Sequence, residues 1–326
     1  MAVPTIRDVA READVSVATV SRAINGIETL DPELAQRVLE TVDRLGYVPN
    51  NVGRSLRRQH TNTWAVIVNG LNAFVSSLVS SIEQAARQQG TSVYLGITGQ
   101  DETLERRYVQ AAISQRVSGL IVASTTTPDI YTEVDLPIVF AVFSYPGTGR
   151  GSVTLDNELA GRLAAEHLAE GGYRRVALLG EGLGGRPVDE RAAGFRAALA
   201  SSGLGMLPEH DRRLDLSLAS AKAAVLDLLA GPQPPDAIYC VNGPSTQGAY
   251  FALASSGASG VGLVGTDNED WTGMSTPTVT VVSQPVTEIG ETAARLLAGR
   301  VSGSASEPQQ VVLEPSLIVR ESTRRP

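Results

Sequence analysis

The stretch ADVSVATVSRAING, residues 13–26, decides the fold of the N-terminal region. The preceding segment has four apolar residues at helical spacing: Ile6, Val9, Ala10 and Ala13. A first helix is therefore predicted to begin after Thr5, with Asp8 three residues later as a variant capping box. Ser16 is suited to cap a second helix, VATVSRAIN, and Gly26 is suited to end it. Two short helices joined by a tight turn form a helix-turn-helix.

The second predicted helix has an outward face suited to DNA. Its outward residues are Val17, Ala18, Ser21 and Arg22. The small side chains can touch thymine methyl groups in a major groove, and Arg22 can bind guanine through two hydrogen bonds. Short polar residues suited to phosphate contacts are Thr5, Ser16, Thr19, Ser21 and Asn25. Helix capping and solvent exposure explain the same residues equally well, so both roles stay open.

A third helix is predicted to begin at Asp31 and Pro32 and to end at Gly46. Its apolar stripe consists of Leu34, Val38, Val42 and Leu45. Residues 1–60 contain eight arginines and eight acidic residues, so the remaining residues carry the whole net charge of −8. Because this electrostatic footprint is weak, the prediction of DNA binding depends on the geometry of the motif.

The composition of the chain limits its domain organisation, its location and its cofactors. The chain has 326 residues, enough for a small domain and a larger one, with the 42% hydrophobic content of a soluble protein. It contains neither a signal peptide nor an apolar run that could span a membrane, which predicts a cytoplasmic, nucleoid-associated protein with no membrane partner. Cys240 is the single cysteine and the three histidines are scattered, so we expect no metal and no cofactor.

From Trp64 onward, short apolar runs alternate with helical stretches, which predicts parallel sheets with flanking helices. The predicted fold class is therefore α/β, with an all-α helix-turn-helix head and a larger α/β body. Neither a phosphate-binding loop nor a dinucleotide fingerprint occurs in the chain.

The runs ADVSVATVSRAING and RLGYVPNNVGRSL resemble the head and hinge of the lactose-repressor/galactose-repressor (LacI/GalR) family. The resemblance continues through VTLDNELAG, RAAGF, VGTDNED and LIVREST and covers nearly the whole chain. It implies a ligand-responsive repressor with a two-lobed body of the periplasmic-binding-protein type. The implied divisions are a head at 1–49, a hinge helix and linker at 50–60 and a body at 61–326, with an N-lobe at about 61–156 and 285–319 and a C-lobe at about 157–284.

The resemblance also implies how DNA is bound. Tyr47 and Asn50 would contact the DNA backbone, and the hinge helix would order only on the operator. The leucine that matches Leu56 would enter a central CG step of a palindromic site from the minor groove, with Arg54 beside it. A homodimer would place two heads on two half-sites.

An effector in the cleft between the lobes is implied as well. The matching residues are Asn72, Phe74, Asp156, Arg191, Asn242, Asp267 and Gln284. Their carboxylates, guanidinium and amides suit the hydroxyls of a sugar or sugar derivative, although Asp156 also fits a helix cap and Asp267 a loop closure. The chain has Val142, Phe143 and Gly243 where relatives often have charged residues. This less polar floor keeps a nucleoside or another partly apolar effector as an alternative.

Two other classes of protein fit parts of the sequence. A periplasmic solute receptor shares the body, but it should have a signal peptide and lack the DNA-binding head. An enzyme fused to such a head needs an activated nucleophile or a metal cluster, and the sequence offers neither. His167 lies at helical spacing and is interpreted as a packing residue. The last predicted strand is followed by no heptad repeat, which favours a dimer formed through the body.

Two positions depart from the family pattern. Asp14 replaces the usual glycine of the helix-turn-helix turn, and aspartate tolerates a left-handed backbone better than most residues. Gly53 replaces the usual alanine of the hinge helix, which weakens that helix by about 1 kcal/mol per chain.

The Gly53→Ala variant is therefore expected to bind operator more tightly than wild type, because it lowers the cost of forming the hinge helix. Fluorescence anisotropy with labelled operator measures the gain, and nonspecific DNA serves as the control. An unchanged operator affinity would contradict this explanation.

Overall fold

The computed structural model describes residues 4–24, 30–47, 61–124, 129–145, 147–181, 186–215, 217–305 and 307–324. The chain divides into two compact units, of which the first ends at Thr61 and the second begins at Asn62. The predicted DNA-contacting residues that lie outside the described residues are Asn25, Asn50, Arg54 and Leu56. Among the helices in these ranges, none combines the length and apolar character needed to cross a lipid bilayer.

The head contains three helices: α1 (Ile6–Glu12), α2 (Val17–Ile24) and α3 (Pro32–Leu45). They share one core, in which Val9, Val20 and Val38 are fully buried. Val42 and Leu45 pack against this core as predicted. Ala35 packs against this core at the position predicted for Leu34; both residues are half-buried, but Leu34 is not part of the cluster.

Local polar contacts set the ends of these helices. The carboxylate of Asp31 accepts a hydrogen bond from the N–H of Leu34 at 3.0 Å and caps α3. The carboxylate of Asp8 accepts hydrogen bonds from the N–H and the hydroxyl of Thr5 at 2.9 and 2.6 Å. Asp14 adopts a φ of 52° in the turn. The expected left-handed turn is therefore confirmed without a glycine.

The body contains two six-stranded sheets. In spatial order, the first sheet consists of β11 (Gln310–Leu313), β5 (Gly151–Leu155), β4 (Ile138–Ala141), β3 (Gly119–Ala123), β1 (Thr63–Val68) and β2 (Ser92–Ile97). Its helices are α4 (Ala73–Gln88), α5 (Glu102–Ser114), α6 (Asp129–Thr132) and α12 (Val286–Val301). Alternate residues of β1 belong to two cores, with Val66 in one and Ile67 in the other, because a sheet covered on both faces buries both sets of side chains.

The second sheet has the same plan. In spatial order it consists of β12 (Ser316–Ile318), β10 (Thr280–Ser283), β9 (Gly262–Thr266), β8 (Ala237–Cys240), β6 (Val176–Glu181) and β7 (Asp211–Leu214). Its helices are α7 (Asn157–Glu170), α8 (Arg186–Ser201), α9 (Leu218–Ala230), α10 (Gly243–Ser256) and α11 (Asp270–Met274). The predicted α/β body with two lobes and parallel sheets is confirmed, and β12 is its antiparallel exception.

The chain passes between the two lobes three times. The first two crossings lie near Asp156 and Gln284, as predicted. The predicted N-lobe segment 285–319 is wrong at its end, because β12 pairs with β10 in the second sheet rather than with the first. Pro315 interrupts the apolar run between β11 and β12, and a strand cannot continue its ladder of hydrogen bonds through a proline.

Helices α7 and α8 touch through their backbones. A Cβ atom on Gly161 of α7 would stand 1.9 Å from the carbonyl oxygen of Arg191, and one on Gly194 of α8 would stand 2.2 Å from that of Glu158. Real Cβ atoms never approach this closely, so glycine is required at both positions. The close contact fixes the two helices that carry polar residues to the crevice between the lobes.

The Gly161→Ala variant should lower the free energy of unfolding of the body by about 1–3 kcal/mol through overpacking, although alanine is the better helix former. Urea denaturation followed by circular dichroism measures the loss. Gly205→Ala is the control, since no atom lies within 4 Å of the added Cβ there. Equal stability of the two variants would contradict the close contact.

Candidate functional site

The outward face of α2 has the predicted orientation. Val17, Ala18 and Arg22 are exposed, whereas Val20 and Ala23 of the same helix are buried. A helix with small side chains and an arginine on its free face can enter a major groove. Which bases or phosphates these residues contact stays a prediction.

The polar residues around this face already cap helices. The hydroxyl of Ser16 accepts the N–H of Thr19 at 3.1 Å, and the two hydroxyls lie 2.8 Å apart. Ser21 is half-buried. Tyr47 is only 9% exposed and belongs to the core of the head, so it offers little surface to DNA. A helix N-terminus binds anions through backbone amides without an intrahelical partner, and the cap at Ser16 already uses the amide of Thr19.

Two neighbouring cavities lie in the crevice between the lobes. One of about 270 Å³ is lined by Val142 and Phe143 from the first lobe and by Asp156, Asn157 and Glu190. The other, of about 440 Å³, is lined by a set that includes Phe74, Asp267, Glu269, Gln284 and Glu288. The carboxyl ends of parallel strands meet here, where open α/β sheets bind ligands.

Arg191 forms hydrogen bonds to lining residues of both cavities. Its side chain is buried, and its three nitrogens donate to Asn157 Oδ1, the carbonyl of Val241 and Gln284 Oε1, each at 2.9 Å. Gln284 Nε2 in turn donates to Asp267 Oδ1 at 2.6 Å. The structure therefore brings Arg191, Gln284 and Asp267 together, but it directs the arginine toward protein groups rather than toward open space.

Asp267 lies at the end of this chain of hydrogen bonds. Desolvation raises the pKa of its carboxyl group, while the nearby charge of Arg191 and the hydrogen bond from Gln284 act in the opposite direction. Its backbone φ is 74°, which is uncommon for a residue other than glycine. The strained backbone and the network direct its carboxylate to the wall of the larger cavity.

The other predicted effector residues also cap helices. Asp156 Oδ1 accepts the N–H of Leu159 at 2.8 Å while the residue lines the smaller cavity. Asn242 caps α10 through the N–H of Ser245 at 2.8 Å. Asn72 is exposed and caps α4, and it lines neither of the two cavities. The helix cap predicted as one role of Asp156 is therefore confirmed, and its contact with an effector stays a prediction.

The apolar floor predicted from Val142 and Phe143 is present in the smaller cavity. Val142 has a φ of 71°, which is a genuine outlier for a β-branched side chain. Its N–H donates to the carbonyl of Val153 at 2.8 Å. Strain of this kind is found at ligand sites that the surrounding structure holds in place.

A buried carboxylate supports the first lobe close to the ends of β1 and β3. Glu105 is fully buried and accepts hydrogen bonds from the hydroxyls of Tyr131 and Ser124, each at 2.5 Å. Ser124 Oγ also lies 2.8 Å from Asn69 Oδ1. Burial, together with the nearby charge of Glu105, raises the pKa of Tyr145 to about 12.

Several polar residues that line the cavities were not predicted from the sequence, and they include Asn157, Glu190, Glu269, Asp270 and Glu288. Asn157 directly follows a predicted site residue, and Glu269 belongs to the quoted VGTDNED run, so position after a strand was a usable signal for both. Across the described ranges, no group of His, Cys, Asp or Glu side chains could hold a metal ion. His167 is half-buried, and its Nε2 atom lies within hydrogen-bond distance of Thr323 Oγ1 at 2.8 Å.

Comparisons with known proteins agree with this architecture. Residues 5–50 match the model of bacterial regulatory proteins of the lacI family, and residues 165–323 match that of the periplasmic binding protein-like domain. Catabolite control protein A of Priestia megaterium is 31% identical over 330 residues, which cover 98% of this chain and 99% of that protein. The chain belongs to the LacI family.

Other members of the LacI family show the same similarity. The ribose operon repressor of Escherichia coli K12 is 29% identical over 98% of this chain and 99% of its own length. The lac repressor dimer bound to operator and the anti-inducer ONPF superimposes with a TM-score of 0.88 at 26% identity, and 99% of each chain is covered. The resemblance inferred from the sequence is confirmed, and so is the fold of the head and body.

Replacing Arg191 by methionine should lower the free energy of unfolding by roughly 3–5 kcal/mol, because it leaves buried acceptors without donors and Asp267 without its cation. Arg196→Met on the same helix is the control, since Arg196 forms a partly exposed pair with Asp211 that is worth at most about 1 kcal/mol. Urea denaturation measures both losses.

The loss in Arg191→Met should also depend on pH. A carboxyl whose folded-state pKa is raised stabilises the fold at low pH, and this contribution disappears as the pH rises through that pKa. Removing Arg191 raises the pKa of Asp267 further, so the variant should lose more stability at about pH 8 than at about pH 5. A loss no larger than that of Arg196→Met at both pH values would contradict the role of Arg191.

Proposed function

We propose that this member of the LacI family is a ligand-responsive transcriptional repressor that binds a palindromic operator as a homodimer. The observation that carries the proposal is the helix α2, with Val20 and Ala23 buried and with Val17, Ala18 and Arg22 free on its outward face. The buried face of α2 packs the head. The exposed face takes no part in that packing, and its side chains fit the edges of bases.

In this proposal, one set of residues contacts the DNA bases and another contacts the DNA backbone. Arg22 binds a guanine, and Val17 and Ala18 touch thymine methyl groups. Phosphates and sugars are contacted by Thr5, Ser16, Thr19, Ser21, Asn25, Asn50 and Arg54, and Tyr47 adds only the 9% of its surface that stays exposed. Leu56 enters the minor groove at the centre of the site, where unstacking a pyrimidine-purine step allows the DNA to bend.

The effector is proposed to be a sugar or a sugar derivative in the crevice between the lobes. Asp156 and Asp267 offer carboxylate acceptors to hydroxyl groups, and Phe74 and Phe143 offer aromatic surface to an apolar ring face. One structural neighbour, the transcriptional regulator CelR in complex with cellobiose, has a TM-score of 0.74 at 29% identity. A nucleoside fits the same combination of acceptors and aromatic surface and is the second candidate.

The effector acts, in this proposal, by changing the angle between the lobes. The paired hinge segments then approach or separate, so that the hinge helices form or melt and operator affinity changes. Relatives of this chain include a ribose operon repressor and the HTH-type transcriptional regulator PtxS, and we propose that this chain likewise has no enzymatic activity. A repressor of this kind works in the cytoplasm on nucleoid DNA.

Arg22→Ala and Leu56→Ala should each weaken binding to an operator selected from random-sequence DNA. Loss of a bidentate guanine contact costs about 1–3 kcal/mol, which corresponds to roughly 5- to 150-fold in affinity. Fluorescence anisotropy measures the change, and sedimentation should show one dimer on each operator.

The control is Arg162→Ala, which removes an exposed arginine from α7 of the body and should leave affinity within about twofold of wild type. If both head variants bound the operator as tightly as wild type, the proposed function would be refuted.

A further inference from the structure

Glu269 lines the larger cavity, and its carboxylate occupies the space that a side chain at Gly243 would fill. Gly243 is buried at the start of α10, and a Cβ atom there would stand 2.6 Å from Glu269 Oε1 and 3.4 Å from Asp267 Oδ2. Because Gly243 has no side chain, the carboxylate of Glu269 occupies the space beside it. The other oxygen of this carboxylate, Oε2, accepts a hydrogen bond from the indole N–H of Trp271 at 2.9 Å.

The lining of this cavity is acidic. Its carboxyl groups belong to Asp267, Glu269, Asp270 and Glu288, and the described residues that line it include no lysine, arginine or histidine. Two arginines lie close to this cavity without lining it, and both donate their hydrogen bonds to protein groups. Arg191 donates to Gln284, and Arg320 donates to Asn268 Oδ1 at 2.6 Å as well as to the carbonyl of Val279.

A free hydrogen-bond donor lies next to this wall. Asn242 precedes Gly243, and its Nδ2 atom is buried without a hydrogen-bond partner in the described part of the chain, while its Oδ1 caps α10. Asn242 itself lines neither cavity, so the groups that a ligand meets on this wall are the carboxylates of Asp267 and Glu269. A carboxylate accepts hydrogen bonds from hydroxyl or ammonium groups.

We propose that Glu269 determines the specificity of the crevice, so that the effector presents hydroxyl or ammonium donors to this wall and phosphorylated or carboxylated compounds are excluded. This inference rests on the proposed function only in taking the crevice to be the effector site. An anion entering the cavity would meet four carboxylates and would not find a free cation among the residues that line it.

The charge of the wall can be measured without knowing the effector. The chain contains two tryptophans, and Trp64 is only 2% exposed, so soluble quenchers report on Trp271 beside Glu269. Quenching of the full-length protein by caesium and by iodide is normalised to quenching of N-acetyltryptophanamide. The caesium constant should exceed the iodide constant, and Glu269→Gln should reduce their ratio at least twofold.

Glu133→Gln serves as the matched control, because it removes one exposed carboxylate outside the cavity and should leave that ratio unchanged. Normalised caesium and iodide constants that are equal in wild type would overturn the inference. An equal fall of the ratio in Glu133→Gln and Glu269→Gln would overturn it too.

Ligand selectivity is tested by thermal shift with matched probes: D-glucose, D-glucosamine, D-glucuronate, D-ribose and D-ribose 5-phosphate. The neutral or amine member of a series should stabilise wild type more than its anionic member, and Glu269→Gln should narrow or reverse that order. An anionic member that stabilises wild type as much as its neutral counterpart overturns the inference. If no probe shifts the melting temperature, the quenching comparison decides.

Operator binding separates this inference from the proposed function. A chain that shows the charge selectivity but binds no selected operator contradicts the proposed function alone. A chain that binds its operator and lacks the charge selectivity contradicts the role of Glu269 alone.

Discussion

The buried guanidinium of Arg191 holds together the three segments that form the floor of the crevice. Asn157 stands at the start of α7, the carbonyl of Val241 follows β8, and Gln284 follows β10. A buried cation is tolerated only when its N–H groups have partners, so these segments are held in one arrangement. Through Gln284 the same constraint reaches Asp267, and a ligand meets a wall that is already ordered.

The fold was largely predictable because its signals are local. The capping residue Asp31, the left-handed turn at Asp14 and the alternation of apolar runs with helical stretches each depend on neighbours within a few residues. The position of β12 was not predictable in this way. Its apolar pattern fits either sheet, and the choice of β10 as its partner depends on the arrangement of residues distant in sequence.

The candidate site was predictable as a set of residues but not as a set of contacts. The family resemblance identified Arg191, Asp267 and Gln284, which the structure places in one network. It did not show that the guanidinium is used by protein groups, nor that Glu269 takes the place of a side chain at Gly243. Both facts depend on side-chain directions that are set by packing, and a single sequence does not specify them.

The chain makes its third crossing between the strands β11 and β12, and each of these strands lies at the edge of a different sheet. During translation, neither sheet gains this edge strand until residues 310–318 have been synthesised. Until then β5 and β10 have open edges, and helix α4 lacks the cover that α12 gives to Leu78 and Ile82. Both sheets are therefore completed by the same short segment, and copies in which it is not yet placed expose strand edges that can pair with one another.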